Sequence, residues 1–258
     1  MKPCSISRYN VAVTWIYLSP HFDDVALSCG GLVWEQAWAG KMVSIWTICG
    51  GQPPGGELSP FAKTLHTRWE AGQAAPVERK VEDINSCHRL GASYRHFNLP
   101  DCIYRRDPSN GKYMYASEPA LNGPLHPGDE PVARDLQEEL CRLITMELTV
   151  VCPLALGNHV DHQLTRLAAE MLGLECLYYA DFPYVLHAKA QVEKLHEEGW
   201  ESQNYPISDE GLVAWQDSIC AHDSQISTFW PNEAEMRRVV GQYMLENGGI
   251  RLWRHPTS

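Results

Sequence analysis

The sequence predicts an α/β fold: a mostly parallel sheet sandwiched by helices, with a helical C-terminal third packed on it. Three observations carry this. Apolar, β-branched runs of strand length alternate with stretches of helical periodicity from the N-terminus to about residue 180, the pattern of βαβ units. No internal repeat or low-complexity linker divides the 258 residues, a length that α/β folds often fill as one unit. Hydrophobic residues make up 44% and charged residues 21% of the chain, the balance of a globular protein rather than a disordered one. One domain over residues 1–258 is expected.

The elements follow in order. Val11 to Leu18 is β-branched and aromatic, a buried strand. Val25 to Trp38 has apolar residues at helical spacing and Gly40 as its stop. Met42 to Ile48 is a second strand, broken by Gly50-Gly51-Gln52-Pro53-Pro54-Gly55-Gly56, which opens a long loop. A helix fills about Thr67 to Leu90 and stops at Gly91, with Pro76 placed to kink or divide it. Tyr94 to Leu99 is a short strand, and Pro100 to Pro131 is irregular. Val132 to Glu147 is helical, Leu148 to Leu156 a strand, Asp161 to Leu172 an amphipathic helix and Cys176 to Tyr179 a strand. Ala188 to Glu198, Glu210 to His222 and Glu233 to Leu245 read as helices.

Composition excludes several functions. The net charge of −11 argues against nucleic acid or an anionic membrane as the main partner, because phosphate neutralisation needs Lys and Arg. Nine scattered cysteines without a Cys-x-x-Cys pair build no zinc ribbon or thioredoxin-type site and suit a reducing compartment. The start lacks the apolar region of a signal peptide, and no apolar run reaches the roughly 20 residues that span a bilayer. The reading is cytoplasmic and soluble, with self-association into a homo-oligomer left open.

In open parallel sheets, ligands bind beyond the carboxyl ends of the strands. Two such places carry unusual chemistry. Directly after the first strand comes Ser19-Pro20-His21-Phe22-Asp23-Asp24, where a dinucleotide-binding protein has its Gly-rich turn. Gly30-Gly31 lies inside the following helix instead, and carboxylates at a helix entrance repel phosphate. One Asp would serve as an N-cap; a His and two Asp exceed that need. The second place is Gly157-Asn158-His159-Val160-Asp161-His162, after the strand 148–156. Together the clusters offer His21, Asp24 and His162 as two imidazoles and a carboxylate, a catalytic zinc set with an open position that also suits Fe²⁺. Asp23 is then free as a general base, and His159 is free to supply positive charge or a proton. This is equipment for metal-assisted amide hydrolysis.

Pro20-His21-Phe22-Asp23-Asp24 with His159-Val160-Asp161-His162 resembles the signature of the PIG-L/LmbE family of metal-dependent N-deacetylases. The resemblance extends through Leu27-Ser28-Cys29-Gly30-Gly31, Arg79-Lys80-Val81-Glu82…Ser86…Leu90-Gly91, Leu99-Pro100-Asp101 and, more weakly, Ser224-Gln225. It implies a Rossmann-like sandwich, His21, Asp24 and His162 as metal ligands, Asp23 as the base and His159 as oxyanion stabiliser or proton donor to the leaving amine. Arg79 matches a substrate-contacting Arg of some members; from the residues alone it makes an i,i+3 pair with Glu82. The commonest first motif has Pro where this chain has Phe22. Some members place a Tyr two residues before the first His of the second motif, where this chain has Gly157.

Around the site, loops 50–66 and 100–131 flank the mouth, and Tyr104, Arg105, Arg106, Tyr113 and Tyr115 are as suited to sugar binding as to packing. Asp181 starts a turn or reaches the pocket, the former being favoured. His88, His187, His196 and His222 read as surface residues and the nine Trp as packing. The function expected is a zinc-dependent deacetylase of N-acetylated amino sugars or their conjugates. The rivals are an amidase of a thiol-sugar conjugate, a non-catalytic nucleotide-binding module and a degenerate scaffold.

Overall fold

A computed structural model describes residues 14–68, 75–144 and 148–256. Seven strands form one sheet: β1 (Thr14–Ser19), β2 (Val43–Thr47), β3 (Ser93–His96), β4 (Leu148–Pro153), β5 (Leu177–Tyr179), β6 (Glu201–Tyr205) and β7 (Ile250–Arg254), in the order β3-β2-β1-β4-β5-β7-β6. The first five pair in parallel. β7 runs antiparallel to both β5 and β6. One face packs against the cluster of Leu136, Leu140, Leu164 and Trp253, the other against that of Leu32, Val33, Leu90 and Trp215, so the sheet is covered on both sides as parallel strands require.

The helices are α1 (Asp24–Trp38), α2 (Pro60–Arg68), α3 (Ala75–Leu90), α4 (Glu118–Leu121), α5 (Glu130–Leu143), α6 (Val160–Glu170), α7 (Lys189–Glu197), α8 (Asp209–Cys220), α9 (Asp223–Phe229) and α10 (Glu233–Asn247). Gly40 and Gly91 follow α1 and α3 at positive φ of 77° and 68°, a helix stop that only Gly makes cheaply. Gly30-Gly31 is explained by packing. A Cβ on Gly30 would stand 2.6 Å from Trp215 Cδ1, and Trp215 Nε1 donates to the Ala26 carbonyl at 2.9 Å. The pair lets α8 lie directly on α1.

Three departures from the sequence reading have local causes. Within the segment read as one helix over 67–90, α3 is described from Ala75, and α2 occupies what reads as loop and reaches Arg68. Pro76 in the first turn costs nothing, because that N–H has no helical acceptor. The residues between, 69–74, lie outside the described residues, as do 145–147 of the helix expected to reach Glu147 and 11–13 of the first strand. The strand 94–99 ends at His96, although Phe97 N still donates to Thr47 O at 2.8 Å. The C-terminal third is helical and also supplies β6 and β7. β6 is polar and exposed at the sheet edge, so it has no apolar alternation to betray it.

The described cysteines are free thiols, and Cys29, Cys49, Cys87, Cys102, Cys152 and Cys176 are buried; Cys4 lies outside the described residues. Most of the described Trp pack inside, but Trp38 is 79% exposed; Trp69 lies outside the described residues. No helix among the described residues is long and apolar enough to cross a membrane.

Candidate metal centre and active site

The chain leaves β1 for β2 on one side, and β4 pairs with β1 on the other. That reversal of strand order is where a crevice opens beyond the carboxyl ends. It brings the two motifs together across more than a hundred residues of chain.

The turn after β1 is built so that neither Asp is spent as a cap. Ser19 Oγ accepts from Val25 N at 3.2 Å. Asp23 stands at the N-cap of α1 without a side-chain capping bond. Asp24 Oδ2 takes His21 N at 2.7 Å and lies 3.1 Å from His21 Nδ1. Its Oδ1 lies 3.3 Å from His162 Nε2. One carboxylate therefore offers one oxygen to each imidazole.

The outer nitrogens of both rings are braced. His162 Nδ1 donates to Asp181 Oδ1 at 2.6 Å, and Asp181 Oδ2 also takes Leu156 N at 2.8 Å. His21 Nε2 donates to Asp161 Oδ2 at 3.0 Å. Such carboxylate–histidine pairs fix the tautomer and leave the inner nitrogen as a lone-pair donor. His162 Nε2 is buried and makes no hydrogen bond. A buried polar atom without a hydrogen bond needs an explanation: when protonated it is ion-paired with Asp24 Oδ1 at 3.3 Å, and when neutral its lone pair would be free for a metal ion. The residues fit a two-His-one-carboxylate set. Among the described residues, the groups whose donor atoms lie within 4.8 Å of one another are His21/His159/His162, His21/Asp101/Asp161 and Cys102/His159/Asp161; Asp24 is in none of them, so its place in the set rests on its contacts with His21 and His162.

Without metal, protons hold the cluster together. Burial alone would raise Asp24, but the adjacent His162, then His21, keep its carboxyl well below the usual range. Burial opposes protonation of His162, yet Asp24 and Asp181 push it up to about 10. His159 goes the other way: burial, then the neighbouring His21 and His162, lower it to about 3. Its Nδ1 accepts Asp161 N at 3.3 Å as the N-cap of α6, so the neutral ring carries its proton on Nε2. Of the two things read for His159, positive charge or a proton, a neutral ring with its proton on Nε2 accords with the second. Asp161, the nearest carboxylate in sequence, turns to His21 and Arg105 instead.

A cavity of about 180 Å³ adjoins the cluster, lined by His21, Asp23, Asp24, Arg79, Asp101 and His159 among others. Arg79 Nη2 donates to Asp23 Oδ1 at 3.2 Å. The alternative partner, Glu82, accepts from Ser224 N at 2.9 Å and Ser224 Oγ at 2.7 Å. The weak Ser224-Gln225 signal thus has a role: Ser224 ties α9 to α3, and Gln225, Thr228 and Phe229 face the cavity.

One expectation, for His222, is corrected, and readings left open for other residues resolve. Arg105, Tyr104 and Tyr115 are buried in protein interactions rather than presented to a sugar, while Arg106 stacks 3.8 Å over Tyr113 on the surface. Asp181 is 1% exposed and braces His162, so it is more than a turn residue. His222, read as a surface residue, is 2% exposed with neither ring nitrogen bonded. Tyr184 packs where Gly157 lacks a side chain, since a Cβ there would stand 3.0 Å from the ring at Cδ1. It meets His162 edge-on at 5.9 Å and lines the cavity. Asp181 carries one signal, its place just beyond the carboxyl end of β5; nothing in the sequence links Arg105, His222 or Tyr184 to the motifs, because each reaches its place from a distant element.

An α/β protein with a metal-competent His/Asp cluster at its switch point is the class that fold and site define. Residues 16–172 match the PIG-L family, described as GlcNAc-PI de-N-acetylase, and the chain belongs to that family. It is 27% identical to 2'-N-acetylparomamine deacetylase of Niallia circulans over 92% of this chain and 86% of the relative. It is 30% identical to the enzyme of the same name from Streptomyces fradiae over 66% of this chain and 57% of the relative. A solved structure of the zinc-inhibited form of teicoplanin deacetylase superposes with a TM-score of 0.80 at 25% identity, covering 95% of this chain and all of that one.

Proposed function

We propose that this protein is a zinc-dependent N-deacetylase that hydrolyses the acetamide of an N-acetylated amino sugar or its conjugate, acting as one domain over residues 1–258 in the cytoplasm. The observation that carries this is the Asp24 carboxylate shared between His21 Nδ1 and His162 Nε2, the latter buried and without a hydrogen bond, at the edge of a cavity. Relatives named as deacetylases of 2'-N-acetylparomamine and teicoplanin support the reaction class. A rival reading as a nucleotide-binding module requires an anion-friendly first turn, where two buried carboxylates stand.

His21, Asp24 and His162 would hold the ion, which when bound supplies Lewis acidity and eases ionisation of water. Asp23 faces the cavity and takes the proton of the attacking water, then returns it to the nitrogen as the C–N bond breaks and the amine leaves; Arg79 holds its Oδ1 and keeps the other oxygen in place to do so. Arg79 also borders the substrate space. His159 presents its Nε2 proton to the carbonyl oxygen as negative charge develops there. Fe²⁺ suits the same donors, so metal identity is decided by measurement.

The test is acetate and free-amine release from N-acetylglucosamine and 2'-N-acetylparomamine by metal-stripped protein reloaded with Zn²⁺ or Fe²⁺. Activity restored by either ion supports the reading. Cleavage of phosphate esters with both amides untouched would overturn it.

A further inference from the structure

We propose that Arg105 is a positioning residue for the metal centre: it clamps Asp161, and through Asp161 it fixes the ring and donor nitrogen of His21. This rests on His21 being a metal ligand, as read above. Arg105 follows the short turn Cys102–Tyr104 and is 5% exposed. It is absent from the cavity lining, so it does not contact substrate there.

Its planar fork is used on both sides. Nε and Nη2 donate to Asp129 Oδ1 and Oδ2 at 2.9 and 2.7 Å. Nη1 donates to Asp161 Oδ1 at 2.5 Å and to the Pro100 carbonyl at 3.3 Å. Both carboxylates are fully buried. Asp129, at the start of α5, also accepts Tyr115 O–H at 2.7 Å, and the Tyr115 oxygen accepts His126 N at 2.8 Å. Asp161, in the first turn of α6, passes the constraint on. Its Oδ2 takes Cys102 N and His21 Nε2, each at 3.0 Å.

The result is one buried line from Tyr115 through Asp129, Arg105 and Asp161 to His21. It joins the 100–129 segment, α5 and α6 to the turn after β1. A fixed carboxylate at Nε2 holds the ring proton there, which leaves Nδ1, the nitrogen facing Asp24, as the donor. Lys offers the charge without the fork and cannot grip two carboxylates in this geometry.

The experiment compares Arg105→Gln, Arg105→Lys and Asp129→Asn with the parent full-length chain. Zn²⁺ affinity is measured by chelator competition, the Co²⁺-loaded proteins by visible absorption, and kcat and KM with an N-acetylated amino sugar. Arg105→Gln is expected to weaken Zn²⁺ binding about 10–100-fold and to change the Co²⁺ spectrum. KM should stay within about twofold, because substrate contacts are untouched. Arg105→Lys should fall between. Asp129→Asn, which leaves the Arg105–Asp161 contact in place, should weaken Zn²⁺ less and shift the spectrum in the same direction. Folded Arg105→Gln with parental Zn²⁺ affinity and Co²⁺ spectrum would overturn the proposal. If that variant does not fold, parental values in Asp129→Asn overturn it. The metal readout needs no substrate: a chain that binds Zn²⁺ in this Arg105-dependent way but releases no acetate refutes the deacetylase reading and supports this one.

Discussion

Replacing Asp181 by Asn changes no volume and removes one property, the ability to accept at both oxygens. In the native protein Oδ1 takes His162 Nδ1–H at 2.6 Å and Oδ2 takes Leu156 N–H at 2.8 Å. Both partners are donors, and an amide has a single acceptor atom. If the Asn oxygen serves Leu156, its NH₂ faces Nδ1, and the imidazole must move its proton to Nε2, the atom that faces Asp24. The lone pair for the metal is then lost unless the tautomer is restored at a cost. If the oxygen serves His162 instead, two N–H groups confront each other at Leu156, with a penalty of about 1–3 kcal/mol for the unpaired buried donor. The first route predicts a loss of about 10–100-fold in metal affinity, which is about 1.4–2.7 kcal/mol. The assay is Zn²⁺ competition against a chelator, with thermal unfolding of the metal-free proteins run alongside. The first route weakens Zn²⁺ binding; in the metal-free protein both routes lower stability, the first through the lost charge beside His162 and the second through the unpaired Leu156 N–H. An Asp181→Asn variant with parental Zn²⁺ affinity and parental stability would refute the assignment of Asp181 as the brace of His162.

Asp23→Asn should keep its bound metal and lose about 10²–10⁴-fold in kcat; metal analysis beside the acetate assay checks this, and loss of metal would make Asp23 a ligand instead. Gly157→Ala forces a side chain into φ of +84° and to 3.0 Å from the Tyr184 ring, so it should cost about 1–3 kcal/mol. Gly173→Ala, at φ of +67° with nothing within 4 Å, is the control that carries backbone strain alone, and the difference in Tm between the two measures the Tyr184 contact. In the metal-free protein His162 is raised from its ordinary 6.5 to about 10 by Asp24 and Asp181 against burial. That stabilisation is fully present below pH 6.5 and is lost as pH rises towards about 10, so Tm in chelator should fall across this window. Zn²⁺ removes the protons that carry the effect, and a Tm in chelator that is flat from pH 6.5 to 10 would contradict the buried His162–Asp24–Asp181 arrangement.

The legible part of the fold is its parallel half. β1, β2 and β4 are apolar runs buried on both faces, and α5 and α6 each carry one apolar stripe, while α1 is buried on most sides, so composition and period agree. β6 escaped because an edge strand needs no apolar residues; Glu201 to Asn204 are exposed, and the backbone pairing with β7 makes it a strand. α2 escaped because its residues lie behind a Gly- and Pro-rich stretch that reads as loop.

The two motifs were legible because the chemistry of His21, Asp23, Asp24, His159 and His162 is concentrated in short segments at strand ends. Their meeting was read from the strand-end rule and the family resemblance, not from anything local. Nothing local says that β4 pairs with β1 rather than with β3, yet that pairing puts His21 within 3.0 Å of a residue 140 positions away. The braces are less legible still. Asp181, Arg105 and Asp129 look like turn and loop residues in the chain, and burial turns them into ion-pair and hydrogen-bond partners. A sequence encodes which side chains sit on one strand end or one helix turn, since those distances are set by covalent geometry. Which distant carboxylate faces which imidazole is set by packing of whole elements, and there the tertiary structure decides.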